Sequence, residues 1–365
     1  MPPVRMTRAD ILVVGAGPVG LTAALALTHG GLRVDVVEAR PAPGSESLAA
    51  TFHPPTLQIL ADLGVDLTGR GLQARTICHR AADSAVRTRF ALAELAADTA
   101  HPYRRHLPQL QVCHMILDKL RGTELCRVRF GERANPQSTG GYRWVFAADG
   151  ADSGLRTAAG VGFDGEGYAG TVVRLICDPV GFEGWDPVTY VAAATESVSV
   201  LRMADHVRVI VRIGNETNTD ADTDADDLRD CALRIATRVT GVQPSVRSWS
   251  PYQSRRMMIA TNLVDNVIFV GDSAHVTTTR GGMNMNAGIH DAAVIASALA
   301  RDPGCVPEAA AARLAVARDM LLPRTHETLD DPMSRLQRVM ALSANPKERR
   351  DFLRRGAMLD MVSWP

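Results

Sequence analysis

Gly15, Gly17 and Gly20 stand at the spacing G-x-G-x-x-G, and Glu38 follows them in the same stretch of chain. Glycine at these three places permits a tight turn, a close approach of pyrophosphate to the backbone, and close packing of a helix on a sheet. A helix that starts there offers free N–H groups and the positive end of its dipole to an anion. Pro18 and Val19 fill the turn, and Glu38, followed by Ala39 and Arg40, is placed to bond ribose hydroxyls. This is the chemistry of dinucleotide binding; the other reading is a tight turn that binds nothing. An acid at this position disfavours a 2′-phosphate but does not separate FAD from NAD.

The elements that position these residues are legible around them. Ile11–Val14 is a continuous apolar run, as expected of a parallel strand buried on both faces. A helix is expected from about Leu21 to His29, stopped by Gly30-Gly31, and then a strand Arg33–Val37 that ends at Glu38. Further helices are expected over Pro55–Leu63, Gln109–Leu120, Asp227–Val239 and Met285–Leu299. The alternation in Arg127–Phe130, Tyr142–Ala147, Val198–Met203 and Val207–Ile213 suggests an antiparallel sheet with one wet face. Asn266–Val270 reads as another buried strand, and Val306–Pro365 as mostly helical. Asn215–Asp227 is an acidic loop without the glycine and terminal glutamate of an EF-hand.

Two further stretches follow expected strands: Ala148-Asp149-Gly150-Ala-Asp-Ser153-Gly-Leu-Arg156 and Gly271-Asp272-Ser-Ala-His275. With the N-terminal glycines they resemble the three fingerprints of the p-hydroxybenzoate hydroxylase-like family, the single-component FAD-dependent aromatic hydroxylases. The resemblance runs from about Asp10 to Leu299 and includes Thr51-Phe-His-Pro-Pro-Thr-Leu57. It implies an α/β fold: a Rossmann-like FAD-binding domain, an inserted antiparallel β-sheet substrate domain and a helical C-terminus. The expected division is 1–72, 101–170 and 253–322 for the FAD-binding domain, 73–100 and 171–252 for the substrate domain, and 323–365 for the C-terminal segment.

The resemblance also implies roles. Asp272 would bond the ribityl chain, Gln109 would contact it, and Asp149 and Gly150 would support FAD and the passage of NAD(P)H. Gly271 and the loop Gly282-Met283-Asn284-Met285-Asn286 would line the cofactor. FAD, NAD(P)H as a transient co-substrate and O2 are the implied reactants, the cofactor carrying the difficult step. The implied activity is hydroxylation, or Baeyer–Villiger oxidation, of a phenolic or polycyclic aromatic metabolite through a flavin C4a-(hydro)peroxide. His53, Tyr190, Arg202, His206, Arg212 and Tyr252 are the candidates for ring contact or proton relay. His275, inside the GDSAH motif, fits a helix-start or packing role as well as a catalytic one.

The sequence departs from this family at Leu48, where relatives often carry an arginine, and at Thr279, which stands at a proline. Asn284 stands at the second glycine of the loop beside the flavin ring. The stretch between Leu120 and Ala148 is short, with Asn135–Gly141 as the joining loop. These changes motivate a second reading: a flavin-fold protein with altered or lost flavin binding that catalyses a non-redox cyclisation, dehydration or rearrangement, or binds a metabolite. A W-x-W-x-I-P halogenase segment is absent, and a simple NAD dehydrogenase leaves GDSAH unexplained.

Composition narrows the partners. The 365 residues carry 40 basic and 40 acidic side chains, so there is no basic excess for nucleic acid. Lysine occurs only at Lys119 and Lys347, leaving the positive charge almost entirely to arginine. No apolar run is long enough to span a bilayer. Six scattered cysteines without a metal-ligand spacing indicate a reduced, cytoplasmic chain with no metal site. A small aromatic or polyketide-like substrate, and a monomer or homodimer, complete the expectation.

Overall fold

The computed structural model describes residues 9–44, 49–82, 86–214, 225–327 and 331–362. All four residues of Ile11–Val14 are buried, because the strand lies inside a sheet covered on both faces. It pairs in parallel with Val34–Glu38 on one side and Trp144–Ala147 on the other, Ile11 standing opposite Val34 and Trp144. Cys126–Phe130 and Val267–Phe269 extend the sheet in parallel, and Leu263–Val264 closes it antiparallel as the sixth strand. The helix Pro18–His29 is buried from Gly20 to Thr28, between the sheet and the helices Gln109–Arg121 and Asn284–Arg301. That explains why its apolar residues face every direction.

One expectation is corrected here. Arg127–Phe130 and Tyr142–Ala147 belong to this parallel sheet and not to an antiparallel one. Cys126–Phe130 is an edge strand with Arg127 exposed and no residue fully buried, so apolar and charged residues alternate along it as in an antiparallel strand with one wet face. In Trp144–Ala147 the polar residues Tyr142 and Arg143 precede the strand, and Val145, Phe146 and Ala147 are fully buried.

The second sheet has seven strands in the order Val246–Tyr252, Thr171–Cys177, Val207–Ile213, Ser197–Arg202, Val188–Ala192, Thr76–Ala81 and Arg87–Ala91. Its neighbours are antiparallel except Val188–Ala192 with Thr76–Ala81. Val173, Val198, Val200, Val207, Val209 and Val211 point to one face, where Ile235, Ala236 and Val239 of the helix Ala225–Thr240 cover them. Burying each such side chain contributes roughly 1.5–3 kcal/mol. Period-two alternation then sends Tyr190, Ser197, Ser199, Arg212 and Tyr252 to the opposite face. Most of the acidic loop before that helix lies outside the described residues, as does Leu48.

Two three-stranded sheets join these bodies. Thr51–Phe52, Arg104–His106 and Leu72–Ala74 form one; Asp164–Gly167, Arg255–Met258 and His275–Val276 form the other. The C-terminal helices Pro332–Ala344 and Pro346–Gly356 pack Val339 and Leu353 onto Ile77, Phe90 and Leu95. Arg349 pairs with Glu94 at 2.8 Å, and Arg350 with Asp98 at 2.8 Å. All six cysteines are free thiols. Among the described residues no helix is long and apolar enough to cross a membrane.

Candidate functional site

The turn after Ile11–Val14 is shaped by collisions that only glycine avoids. Gly15 has φ +104°, and a Cβ there would lie 2.3 Å from the carbonyl oxygen of Ala148. At Gly20 a Cβ would lie 2.0 Å from the carbonyl oxygen of Gly15. Gly17 differs: no atom lies within 4 Å of its Cβ position, and as the residue before Pro18 it leaves the helix start without a side-chain cap. The first N–H groups of the helix thus have no side-chain cap, and the space beside Gly17 is open.

Glu38 is 7% exposed at the end of its strand. Its carboxylate accepts from the Ala16 N–H at 2.9 Å, the Arg40 N–H at 3.0 Å and Arg40 Nε at 2.9 Å. Burial pushes the Glu38 carboxyl up, but the Arg40 and Ala16 hydrogen bonds outweigh it and hold the group below its ordinary value. Ala39 and Arg40 are exposed on the rim.

Asp149 and Gly150 follow the neighbouring strand. Asp149 Oδ2 accepts from the Leu155 N–H at 3.2 Å, whereas its Oδ1 is buried without a hydrogen bond. Arg156, which the sequence reading placed at the end of its motif without a role of its own, ties two motifs together. It donates to the carbonyls of Ala151 at 2.7 Å and Ser273 at 3.1 Å, with its guanidinium 3.8 Å from the Phe163 ring centroid. Val19 packs against Gly271 and Gly288; a Cβ on Gly288 would lie 2.8 Å from the Gly271 Cα. Gln109 Oε1 accepts from the Ala49 N–H at 3.1 Å.

The loop from Thr277 to Asn286 is held by side chains. Thr279 has φ −75°, close to the value a proline would impose. Its hydroxyl bonds Tyr252 Oη at 2.7 Å, and Thr277 and Thr278 both bond Thr325. Gly281 and Gly282 have φ +81° and +66°. Asn286 accepts from the His53 N–H at 2.9 Å and Thr56 Oγ1 at 2.7 Å, and donates to the carbonyls of Thr51 at 2.8 Å and Gly282 at 2.7 Å. His53 Nε2 donates to the Gly281 carbonyl at 2.8 Å. Since Thr56 donates to Asn286, its 2.8 Å contact with His290 Nε2 has the imidazole as donor. Within the loop, Met283 and Met285 are buried.

Behind the loop, Asp291 accepts from His275 Nε2 at 2.7 Å and Arg313 Nε at 2.8 Å, all three being buried. Burial alone would lower the His275 imidazole, but the Asp291 carboxylate reverses this and raises it. His275 thus sits in a packed ion cluster.

The six candidates for ring contact separate. Tyr190, Arg212 and Tyr252 share the sheet face that meets the loop, where Arg280 also reaches Ser197 Oγ at 3.5 Å. His53 is fully buried under the loop. Arg202 turns its guanidinium to the Trp185 carbonyl at 2.9 Å, and His206 pairs with Asp205 at 2.8 Å in the hairpin turn, so neither joins the other three. A narrow cleft is lined by His79, Tyr190, Arg280, Arg335 and neighbouring apolar side chains. The His79 and Tyr190 rings are 4.9 Å apart, and the Arg280 and Arg335 guanidiniums lie 5.6 and 5.8 Å from the Tyr190 centroid. Burial, then the charges of Arg335, Arg280 and Arg104, keeps the His79 imidazole neutral. His79 alternates correctly in its strand, but nothing in the sequence pairs it with Tyr190 more than 100 residues away.

These features fit FAD. The open helix start suits a pyrophosphate, Glu38 is the strand-end acceptor for ribose hydroxyls, and the unpaired Asp149 Oδ1 and Asn284 Oδ1 are buried acceptors for O–H or N–H donors.

Comparison with known proteins agrees. The profile of the FAD binding domain family matches residues 8–304. A para-nitrophenol 4-monooxygenase of Pseudomonas sp. (strain WBC-3) is 27% identical over 316 residues, covering 79% of this chain and 77% of that protein. The crystal structure of a p-nitrophenol 4-monooxygenase from Pseudomonas putida DLL-E4 superposes with a TM-score of 0.86 at 23% identity, covering 98% of this chain and 99% of the other. A Diels-Alderase of the biosynthetic pathway of pyrroindomycins shares the fold at a TM-score of 0.77 and 20% identity, covering 96% of this chain and 80% of its own.

Proposed function

The chain belongs to the FAD-binding domain family of flavoprotein monooxygenases, and from that premise we propose that it hydroxylates a phenolic or polycyclic aromatic metabolite at the expense of NAD(P)H and oxygen. One observation carries the reading. The loop Thr277–Asn286 bonds Asp272 on one side, through Asn284, and the seven-stranded sheet on the other, through Tyr252 and Ser197. A cofactor extended from Gly17 and Glu38 past Asp272 would end where these two bodies meet. The relative named for a phenolic compound supports a phenolic substrate.

When bound, FAD supplies hydride acceptance and oxygen activation, and the protein's own groups do the rest. The helix start at Gly17 and the acceptors Glu38, Asp149 and Asp272 orient the nucleotide and ribityl parts. Asn286, His53, Thr56 and His290 hold the loop without opening it to water. Tyr190, Arg212 and Tyr252 offer a ring face, a cation and a hydroxyl to an aromatic substrate. The guanidiniums of Arg280 and Arg335 favour the anionic form of a nearby phenol, while the neutral His79 serves as a hydrogen-bond acceptor.

The test is direct. Purified protein given FAD should show bound flavin absorbance, and phenolic substrates should stimulate NAD(P)H oxidation with one oxygen atom appearing in the product. Product formed equally well without NAD(P)H and oxygen would replace this reading by the non-redox one.

A further inference from the structure

Asn284 begins the helix Asn284–Arg301 at the place where the resembling family carries a glycine. Its side chain is turned toward the GDSAH motif: Nδ2 donates to Asp272 Oδ1 at 2.8 Å. The carboxamide oxygen of the same residue is buried and accepts no hydrogen bond. A second buried oxygen in the cradle, Asp149 Oδ1, is also unpaired. Buried acceptors without partners cost free energy and are rare in folded chains, unless a ligand supplies the donor. A glycine would leave Asp272 free to rotate and would offer no acceptor of its own.

We propose that Asn284 is a flavin-binding residue particular to this chain: its amide N–H fixes the Asp272 carboxylate, and its Oδ1 accepts a hydrogen bond from an O–H or N–H donor of bound FAD. This inference rests on the flavoprotein reading above. In it the departure from glycine adds a contact to the cofactor site. The side chain is committed to Asp272 and so is held away from the glycine pair Gly281–Gly282. Burial raises the Asp272 carboxyl, and the Asn284 bond together with the His275 charge opposes that rise.

The experiment compares wild type, Asn284→Ala and Asn284→Gly. FAD affinity is read by titrating the flavin-free protein, alongside the visible absorption bands of the bound flavin. Loss of the acceptor should weaken FAD binding about tenfold in both variants, equivalent to about 1.4 kcal/mol. The FAD-induced rise in melting temperature, measured for each variant against its own flavin-free form, should shrink accordingly. That internal reference separates lost binding from lost folding. If the alanine variant fails to fold, the glycine variant gives the same reading. FAD binding in either variant as tight as in wild type, or tighter, overturns the inference and leaves the flavoprotein reading standing. Wild type that binds no FAD removes both.

Discussion

The turn Gly15–Gly20, the nucleotide cradle, and the loop Thr277–Asn286, the ring loop, are both glycine-containing turns, yet they are held by different forces. In the cradle, Gly15 and Gly20 are fixed by backbone contact: any Cβ would overlap a carbonyl oxygen by more than 1 Å relative to ordinary packing. In the ring loop, Gly281 and Gly282 also hold positive φ, but a Cβ on either would meet only side-chain atoms, Met283 at 3.3 Å and Thr51 at 3.1 Å, and no backbone. There the conformation is imposed by hydrogen bonds from His53, Asn286 and Thr325. A region set by local sterics tolerates little change in its own residues. One set by distant side chains changes shape when any of several remote partners is altered.

The sharpest way to break this comparison is at Gly15. Gly15→Ala is expected to destabilise the fold by about 4 kcal/mol or more, because a backbone clash has no flexible atom to absorb it. Gly17→Ala, whose Cβ meets nothing, should stay within about 1 kcal/mol of wild type while losing FAD affinity. Thermal unfolding with and without FAD measures both. A Gly15→Ala protein that melts within a few degrees of wild type would show that the cradle is not sterically set. Next in size, Asn286→Ala removes four hydrogen bonds that join Thr51, His53, Thr56 and Gly282. The buried groups left unpaired should cost about 3 kcal/mol.

This contrast also explains what the sequence made legible. The cradle depends on a strand, three glycines and an acid within 30 residues, so its spacing alone conveys the chemistry. The helix at Gln109 and the apolar helix at Asn284 were equally readable from periodicity. The edge strand Cys126–Phe130 was misassigned because one solvated side mimics antiparallel alternation. The ring loop looked weakened by Thr279, yet Thr279 keeps φ near −75° and its neighbours are anchored to Thr325 across 47 and 48 residues. Isolated polar residues with no repeat carry no signal of such pairing. The same holds for Arg313 on Asp291 and for His79 beside Tyr190.

Thr325→Val tests that remote anchoring with almost no change of volume. Loss of the hydroxyl should cost about 1 kcal/mol. Hydrogen exchange should speed up at the amides of residues 277–283 and remain as in wild type at residues 15–20. Equal loss of protection in both regions would mean that the loop and cradle form one cooperative unit.

The smallest expected effect comes from pH and again separates the two regions. Burial, then the Arg104 charge, holds the His53 imidazole well below its ordinary value, and burial with the Arg313 charge takes His290 down to about 3. Both lie under the ring loop, each donating its Nε2 proton and leaving Nδ1 unpaired, so both are neutral in the folded protein. In the unfolded chain each titrates near 6.5. Below that pH the unfolded state binds protons that the folded state refuses, and stability falls as pH falls. For each histidine the loss between pH 7.5 and 6.0 is about 0.8 kcal/mol. His275 runs in the opposite sense: its raised value contributes stability fully below 6.5, and that contribution is lost as pH rises through the folded value. The readout is therefore the difference between wild type and His290→Gln, which removes one group from the acid side. The variant should lose less stability than wild type over this interval, with the cradle amides unaffected in hydrogen exchange. An identical pH slope in both proteins would mean that His290 takes up its proton in the folded state, and that the ring loop is open to water rather than sealed by the network beneath it.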